Sequence, residues 1–246
     1  MKERFIDQNR KDFPHHVAII MDGNRRWSTI GRVSIEAGYQ KGADRVEEIV
    51  IAAKQVGVSI LTLYLFSTEN WKRSNEEIYS FFSLFASLLS EKFSFLREEG
   101  ICFSTIGDRS SLPEFLQKLL QRAERESQER RSRDHFQLVL ALNYGSRNEI
   151  IRSIQTIVED CQKGKLQREE ITEETLSSYL DTARWQNPDL LIRTSGEMRL
   201  SNFLLWQLSY TELFFTETLW PDFGKAEFLQ ILYQYGKREK VGWGKK

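Results

Sequence analysis

Residues 16–21 read HVAIIM and residues 60–66 read ILTLYLF, and between them 38–55 carries apolar residues at helical spacing. A short β-rich run, a helix and a second such run make the strand–crossover–strand unit of a parallel sheet. The pattern continues outward from that unit. Further strands are expected at 101–106, 136–143, 189–194 and 212–216, with helices at about 75–98, 112–132, 146–162, 172–182 and 224–238. The sequence therefore predicts an α/β fold with a central, mostly parallel six-stranded sheet flanked by helices. One domain is expected over 1–246, with 1–13 as an N-terminal extension and 240–246 as a C-terminal tail. No fixed-period repeat or low-complexity linker breaks the alternation, and the four prolines, at 14, 113, 188 and 221, fall at predicted element edges.

Composition narrows the function classes. With 40% hydrophobic and 28% charged residues the chain is too apolar for intrinsic disorder. Its 35 Lys+Arg are balanced by 35 Asp+Glu, which removes the bulk electrostatic case for nucleic-acid binding, so any basic site must be local. Two cysteines, Cys102 and Cys161, cannot build a disulfide framework, and no Cys/His cluster has zinc spacing. With neither a signal peptide nor a membrane-spanning run in view, a cytoplasmic location is expected.

Two helical segments stand out. Residues 118–133, KLLQRAERESQERRSR, carry both signs of charge on most faces and read as a solvated helix. Residues 78–96, IYSFFSLFASLLSEKFSFL, have almost no polar face, so this helix is buried all round or borders an apolar cavity. Its apolar heart, 78–89, is too short for a bilayer.

Chemistry gathers at strand ends, where ligands bind in open α/β sheets. The first strand runs into Asp22-Gly23-Asn24-Arg25-Arg26-Trp27. A carboxylate there can hold a hard cation, glycine admits backbone N–H groups to an anion, and arginine grips phosphate oxygens bidentately. An ordinary Asp-Gly turn with exposed arginines is the plain alternative. The second strand ends in Ser67-Thr68-Glu69-Asn70-Trp71-Lys72-Arg73-Ser74, where Ser74 or Asn75 can also cap the next helix. The fifth leads to Ser195-Gly196-Glu197-Met198-Arg199-Leu200-Ser201; Arg193 and Arg199 can face one anion across the Ser-Gly turn, with the Ser201 hydroxyl beside them. Three arginine-bearing strand ends suit a diphosphate, which needs several donors and a divalent cation.

HVAIIMDGNRRW, LTLYLFSTENWKRS, ALNYGSRNEI and DLLIRTSGEMRLSNFLLWQLSYTELFFTETLWPDF, in this order over roughly 14–242, resemble the signature regions of the cis-prenyltransferases, most closely the bacterial undecaprenyl diphosphate synthases. The resemblance implies condensation of isopentenyl diphosphate with an allylic diphosphate, farnesyl diphosphate being the expected starter. It also implies a homodimer, a hydrophobic tunnel beside the sheet, and Mg2+. Asp22 resembles the aspartate that binds magnesium at the allylic diphosphate, and Gly23, Asn24, Arg25, Arg26 and Trp27 resemble that diphosphate's surroundings. Ser67, Thr68, Glu69, Trp71 and Arg73 match the segment beside the prenyl substrate. Asn70 matches a residue assigned to proton removal; an amide is a poor base, so an orienting role is expected. Arg193, Arg199, Leu200 and Ser201 match the isopentenyl diphosphate clamp. Glu212 matches a metal-linked glutamate, which in the family can come from the partner subunit. Release of an apolar product implies transient association with the inner membrane surface.

The chain departs from the family pattern at Ile35, where an arginine is usual, and at Tyr39, where a histidine is usual; Arg32, Arg25 or the Tyr39 hydroxyl are the candidate replacements. Ser74 stands for a proline, and Lys240-Val241-Gly242 for Arg-x-Gly. Leu65 replaces a small residue before Phe66, so the tunnel is either narrowed or compensated across its width. A shorter-chain synthase and a non-catalytic partner subunit are the alternatives within the family. A nucleotide phosphotransferase lacks its phosphate-loop motifs, and a trans-prenyltransferase lacks its aspartate cluster. The aromatic stretch 203–215, FLLWQLSYTELFF, suits either a dimer interface in the 201–223 region or core packing.

Overall fold

A computed structural model describes residues 13–128 and 136–238. Six strands, β1 (His16–Ile20), β2 (Ile60–Ser67), β3 (Ile101–Ile106), β4 (Phe136–Tyr144), β5 (Leu190–Arg193) and β6 (Glu212–Phe215), form one sheet in the order β3-β4-β2-β1-β5-β6. Every pairing is parallel. Strands β1 and β4 are buried along their whole length because helices cover both faces, whereas the edge strand β6 is half-exposed. Side chains of β1 alternate between two cores: Val17 and Ile19 enter the larger, Ala18 and Ile20 the smaller.

The helices are α1 (Asn24–Gly31), α2 (Ile35–Val56), α3 (Asn75–Glu91), α4 (Phe93–Glu98), α5 (Glu114–Gln128), α6 (Ser146–Gln162), α7 (Glu173–Tyr179) and α8 (Lys225–Lys237). Local chemistry sets several ends. Ser34 caps α2 by accepting from the Ala37 N–H at 3.2 Å, and Ser74 caps α3 by accepting from Glu77 at 3.2 Å. Gly57, at φ 91°, closes α2 in the left-handed conformation that glycine adopts freely.

Two features differ from the sequence expectation. Helix α1 falls where no helix was expected; only Ser28 in it is buried, so it carries no apolar stripe to reveal it. The single helix expected over 75–98 breaks at Lys92, which re-aims the last apolar residues so that α4 packs on β3 and α5. The expected termini at 1–13 and 240–246 lie outside the described residues save Phe13, as do Lys240-Val241-Gly242 and positions 129–133 of the charged helix.

In this order β2, β1 and β5 are neighbours, and Ile20 is level with Tyr64 and with Arg193. The three arginine-bearing strand ends therefore emerge side by side. Glu212 does not join them. It pairs with Leu190 at the start of β5, three residues before the level of Arg193 and Phe215, hence about 10 Å back along the strands.

Candidate active site

A polar cavity of about 710 Å³ opens over the ends of β1, β2 and β5. Asp22, Gly23, Asn24, Arg25 and Arg26 line it from the first strand end, Ser67, Glu69, Asn70 and Arg73 from the second, and Arg193 and Ser201 from the third. Its hub is Arg193, only 3% exposed. One Nη donates to Asp22 Oδ2 at 2.8 Å; the other donates to Ser201 Oγ at 2.7 Å and to the Arg199 carbonyl. The Asp22 backbone is held as well: its N–H donates to Thr194 Oγ1 at 3.0 Å, and its carbonyl accepts from the Thr194 hydroxyl at 2.7 Å and from the Trp220 N–H at 3.0 Å. A buried guanidinium thus fixes the carboxylate at the mouth of α1.

Gly23 caps that helix at φ 113°, and a Cβ there would lie 3.0–3.1 Å from Leu219, so glycine is demanded twice over. The first turn of α1 holds no acidic side chain, leaving its N–H groups and positive dipole end for an anion. Arg26 spans to the third strand end, donating to the Ser195 carbonyl at 2.8 Å and to Glu197 Oε1 at 3.1 Å. Arg199 binds the same carboxylate. The hydrogen bond from Arg26, then the charge of Arg199, hold the Glu197 carboxyl below the usual range. Sequence reading passed over Glu197, although it sits between two arginines. The Arg199 guanidinium is exposed and stays outside the cavity lining, and Leu200 packs half-buried against the smaller core. Trp27 also stays outside the lining, donating to Asp222 Oδ1 at 3.0 Å and bracing the turn Trp220–Asp222.

At the second strand end the register slips after Tyr64, so Leu65 and Phe66 both meet the larger core while Tyr64 packs in the smaller. The Ser67 N–H donates to Asn70 Oδ1 at 3.0 Å. With its acceptor so used, the Asn70 amide offers the cavity its NH₂, a donor. Burial opposes ionisation of Glu69, but hydrogen bonds led by Asn202 outweigh it and lower its pKa; Asn202 Nδ2 donates at 2.9 Å. Asn202, a cavity residue that ends the stretch after the fifth strand and to which the sequence reading gave no role, sits with Ser201 in left-handed backbone at φ 62° and 50°. Thr68 and Trp71 lie outside the main lining, Trp71 donating to Asn143 Oδ1 at 2.6 Å. Of the three candidate replacements for the missing arginine and histidine, Arg25 and Tyr39 line the cavity and Arg32 does not. Tyr39 accepts from Arg73 at 3.2 Å, and Arg25 pairs with Glu77 at 3.1 Å.

Behind the polar site lies an apolar cavity of about 140 Å³. Met21, Asn24, Tyr39, Leu65 and Phe81 line both, so one wall separates and joins them. The aromatic helix forms the outer wall with Phe81, Leu84, Phe85, Leu88 and Leu89.

Magnesium fits the polar residues as a single-carboxylate site. No hydrogen bond among the described residues engages Asp22 Oδ1, and magnesium commonly takes one or two carboxylates together with substrate phosphates and waters. Glu212 cannot add a second carboxylate from the same chain; it is bound to Arg238 at the far end of β6. Among the described residues no cluster of three His, Cys, Asp or Glu side chains suits a metal.

The sequence profile of the family described as "Putative undecaprenyl diphosphate synthase" matches residues 20–242. The isoprenyl transferase of Chlamydia muridarum is 46% identical over 246 residues, covering 98% of this chain and 95% of the relative. That of Aquifex pyrophilus is 48% identical over 227 residues, covering 92% and 94%. A crystal structure of lavandulyl diphosphate synthase from Lavandula x intermedia, in complex with dimethylallyl diphosphate, superimposes with a TM-score of 0.89 at 38% identity, covering 93% of this chain and 98% of that one.

Proposed function

The chain belongs to the undecaprenyl diphosphate synthase family and is an isoprenyl-transferring enzyme, and from that premise we propose that it condenses isopentenyl diphosphate with farnesyl diphosphate and elongates the product in cis geometry to undecaprenyl diphosphate. The observation that carries this reading is the pair of cavities sharing one wall: arginines and a carboxylate on one side, leucines and phenylalanines on the other. A prenyl diphosphate needs both.

The allylic diphosphate sits at the N-terminus of α1, where open N–H groups and Arg26 meet it. Isopentenyl diphosphate is held by Arg193, Ser201 and Arg199, with Arg26 and Arg199 exchanging Glu197 for phosphate oxygens. Magnesium bound at Asp22 supplies charge neutralisation to the departing diphosphate. The allylic C–O bond breaks as the terminal carbon of isopentenyl diphosphate bonds to the allylic carbon, and a proton leaves to a phosphate oxygen or water. The NH₂ of Asn70 orients that acceptor, and the apolar cavity keeps water from the developing carbocation.

We read 1–246 as one domain that works as a homodimer in the cytoplasm, with Glu212 reaching the site of the partner subunit and brief contact with the membrane surface on product release. The half-exposed edge strand β6, with Leu213 38% exposed, supports the dimer. Among the described residues no helix is long and apolar enough to cross a membrane. A shorter-chain product is the second reading, favoured by Leu65 at the junction of the cavities. The test is incorporation of radiolabelled isopentenyl diphosphate with farnesyl diphosphate and Mg2+, without ATP, followed by mass spectrometry of the product. Undecaprenyl diphosphate is the expected result, and no incorporation by the folded protein overturns the reading.

A further inference from the structure

Resting on that reading, a second length-setting element emerges on the partly exposed side of the apolar cavity, where α2 meets the α3–α4 joint; the lining runs on past it to Val50, Phe95 and Leu96. Its lining contains two charged residues among those described, Glu47 and Lys92. They face each other across the two walls. From Tyr39 at the mouth, Glu47 lies eight residues farther along α2, about 12 Å by helix rise. On the opposite wall Lys92 lies eleven residues past Phe81, about 16 Å by the same measure. Lys92 Nζ meets Glu47 Oε2 at 2.8 Å, and both side chains are only about a third exposed. That hydrogen bond raises the Lys92 pKa, so the ammonium stays charged through the physiological range.

Lys92 is also the joint of the wall. Helix α3 ends and α4 begins at this residue, which leaves helical geometry at φ −88° and ψ 3°. The ion pair therefore ties α2 to the point where the opposite wall changes direction. A cavity of about 140 Å³ is close to one that accepts a benzene-sized guest. A longer chain must part α2 from α3 and α4, and the polar tie it reaches is this pair. Each isoprene unit gains by leaving water for leucine and phenylalanine. The unit that arrives at Glu47 and Lys92 instead strips water from two charges, a cost that an apolar methyl group cannot repay with any hydrogen bond.

We propose that the Glu47–Lys92 ion pair ties the two helical walls of the prenyl-chain tunnel together and, by resisting their separation, sets the length at which elongation stops. Leu65 stands near the mouth and Glu47–Lys92 about 12–16 Å along the helical walls, so they act on early and late additions respectively.

The test uses the full chain with farnesyl diphosphate, isopentenyl diphosphate and Mg2+, reading product length by mass spectrometry and, separately, the rate of the first condensation. In the double variant Glu47→Gln/Lys92→Met the charges go while side-chain volume stays similar. The product distribution is expected to move to longer chains by at least one isoprene unit, with the first-condensation rate within about twofold of the parent. The charge exchange Glu47→Lys/Lys92→Glu is expected to restore the parent distribution. An unchanged distribution in the neutral variant overturns the proposal. So does lengthening by the exchange variant equal to that of the neutral one, since packing rather than the ion pair would then set the length. Should the neutral variant fail to show a cooperative thermal transition, Glu47→Gln alone carries the same expectation and the same overturning result. Failure of the parent protein to incorporate any isopentenyl unit would instead overturn the prenyltransferase reading, and it is seen before any variant is compared.

Discussion

Asp22 divides its carboxylate: Oδ2 neutralises Arg193, and no hydrogen bond among the described residues engages Oδ1, where a cation would bind. Removing the whole side chain would strand a guanidinium that is 3% exposed, so Asp22→Ala mixes a folding effect with a catalytic one. Asp22→Asn keeps an acceptor for Arg193 and removes the charge. Its kcat is expected to fall by at least about a hundredfold while the thermal midpoint stays near that of the parent. Turnover near normal in the folded Asn variant would take Asp22 out of the reaction. The same reasoning separates the two clamp arginines. Arg193→Lys disturbs Asp22 and Ser201 together, whereas the Arg199 side chain is surface-exposed and touches Glu197. Arg199→Lys therefore isolates the loss of the planar fork, and the KM for isopentenyl diphosphate should rise more than that for the allylic substrate; equal rises would count against the clamp. The residue types were legible because arginines recurred beside small polar groups after strands. Glu197 was not, since a carboxylate among arginines reads as ordinary surface charge until Arg26 and Arg199 are seen to share it.

At the scale of elements, β1, β2 and β5 were readable because fully buried strands are short continuous apolar runs, and their bounds moved by a residue or two. Helix α1 was hidden because it starts from the left-handed cap Gly23 and has no apolar face. The break at Lys92 was hidden because apolar residues flank it on both sides, with neither proline nor glycine to mark it. The loop after β5 holds Ser195, Ser201, Asn202 and Leu204 at positive φ, a strained course that residue preference argues against and that packing of Phe203 and Leu204 enforces. The register slip at the end of β2 matters most for product length. It brings Phe66 onto the core side with Leu65, and Phe66 stacks on Phe81 at 5.3 Å, leaving Leu65 at the passage between the cavities. A close-packed wall absorbs little added volume, so Leu65→Ala is expected to shift the product distribution to longer chains. An unchanged distribution would make Leu65 ordinary wall packing, and the shorter-chain reading would lose its support.

At the scale of the whole molecule, Glu212 lies away from its own chain's site. The aromatic stretch 203–215 divides in two: Phe203, Leu204 and Leu208 are buried in the smaller core, whereas Tyr210 is 92% exposed and Leu213 38%. The outward half begins the edge strand β6, whose unpaired side presents backbone groups and apolar side chains to another molecule. Glu212 sits at that edge, about 10 Å back along the strands from the level of Arg193, so it serves a site only if that site belongs to another chain. Complementation tests this directly. Neither Asp22→Asn nor Glu212→Gln homodimers should retain substantial activity. In a mixed dimer the Glu212→Gln chain keeps its own Asp22 and receives Glu212 of the partner subunit, so one site is whole. Random exchange makes half the dimers mixed with one intact site each, and activity should return to about a quarter of the parent value. Were Glu212 acting within its own chain, every site in every dimer would carry one defect and mixing would restore nothing. Light scattering at micromolar concentration supplies the matching control, since a species the size of one chain would remove the dimer and with it the shared site.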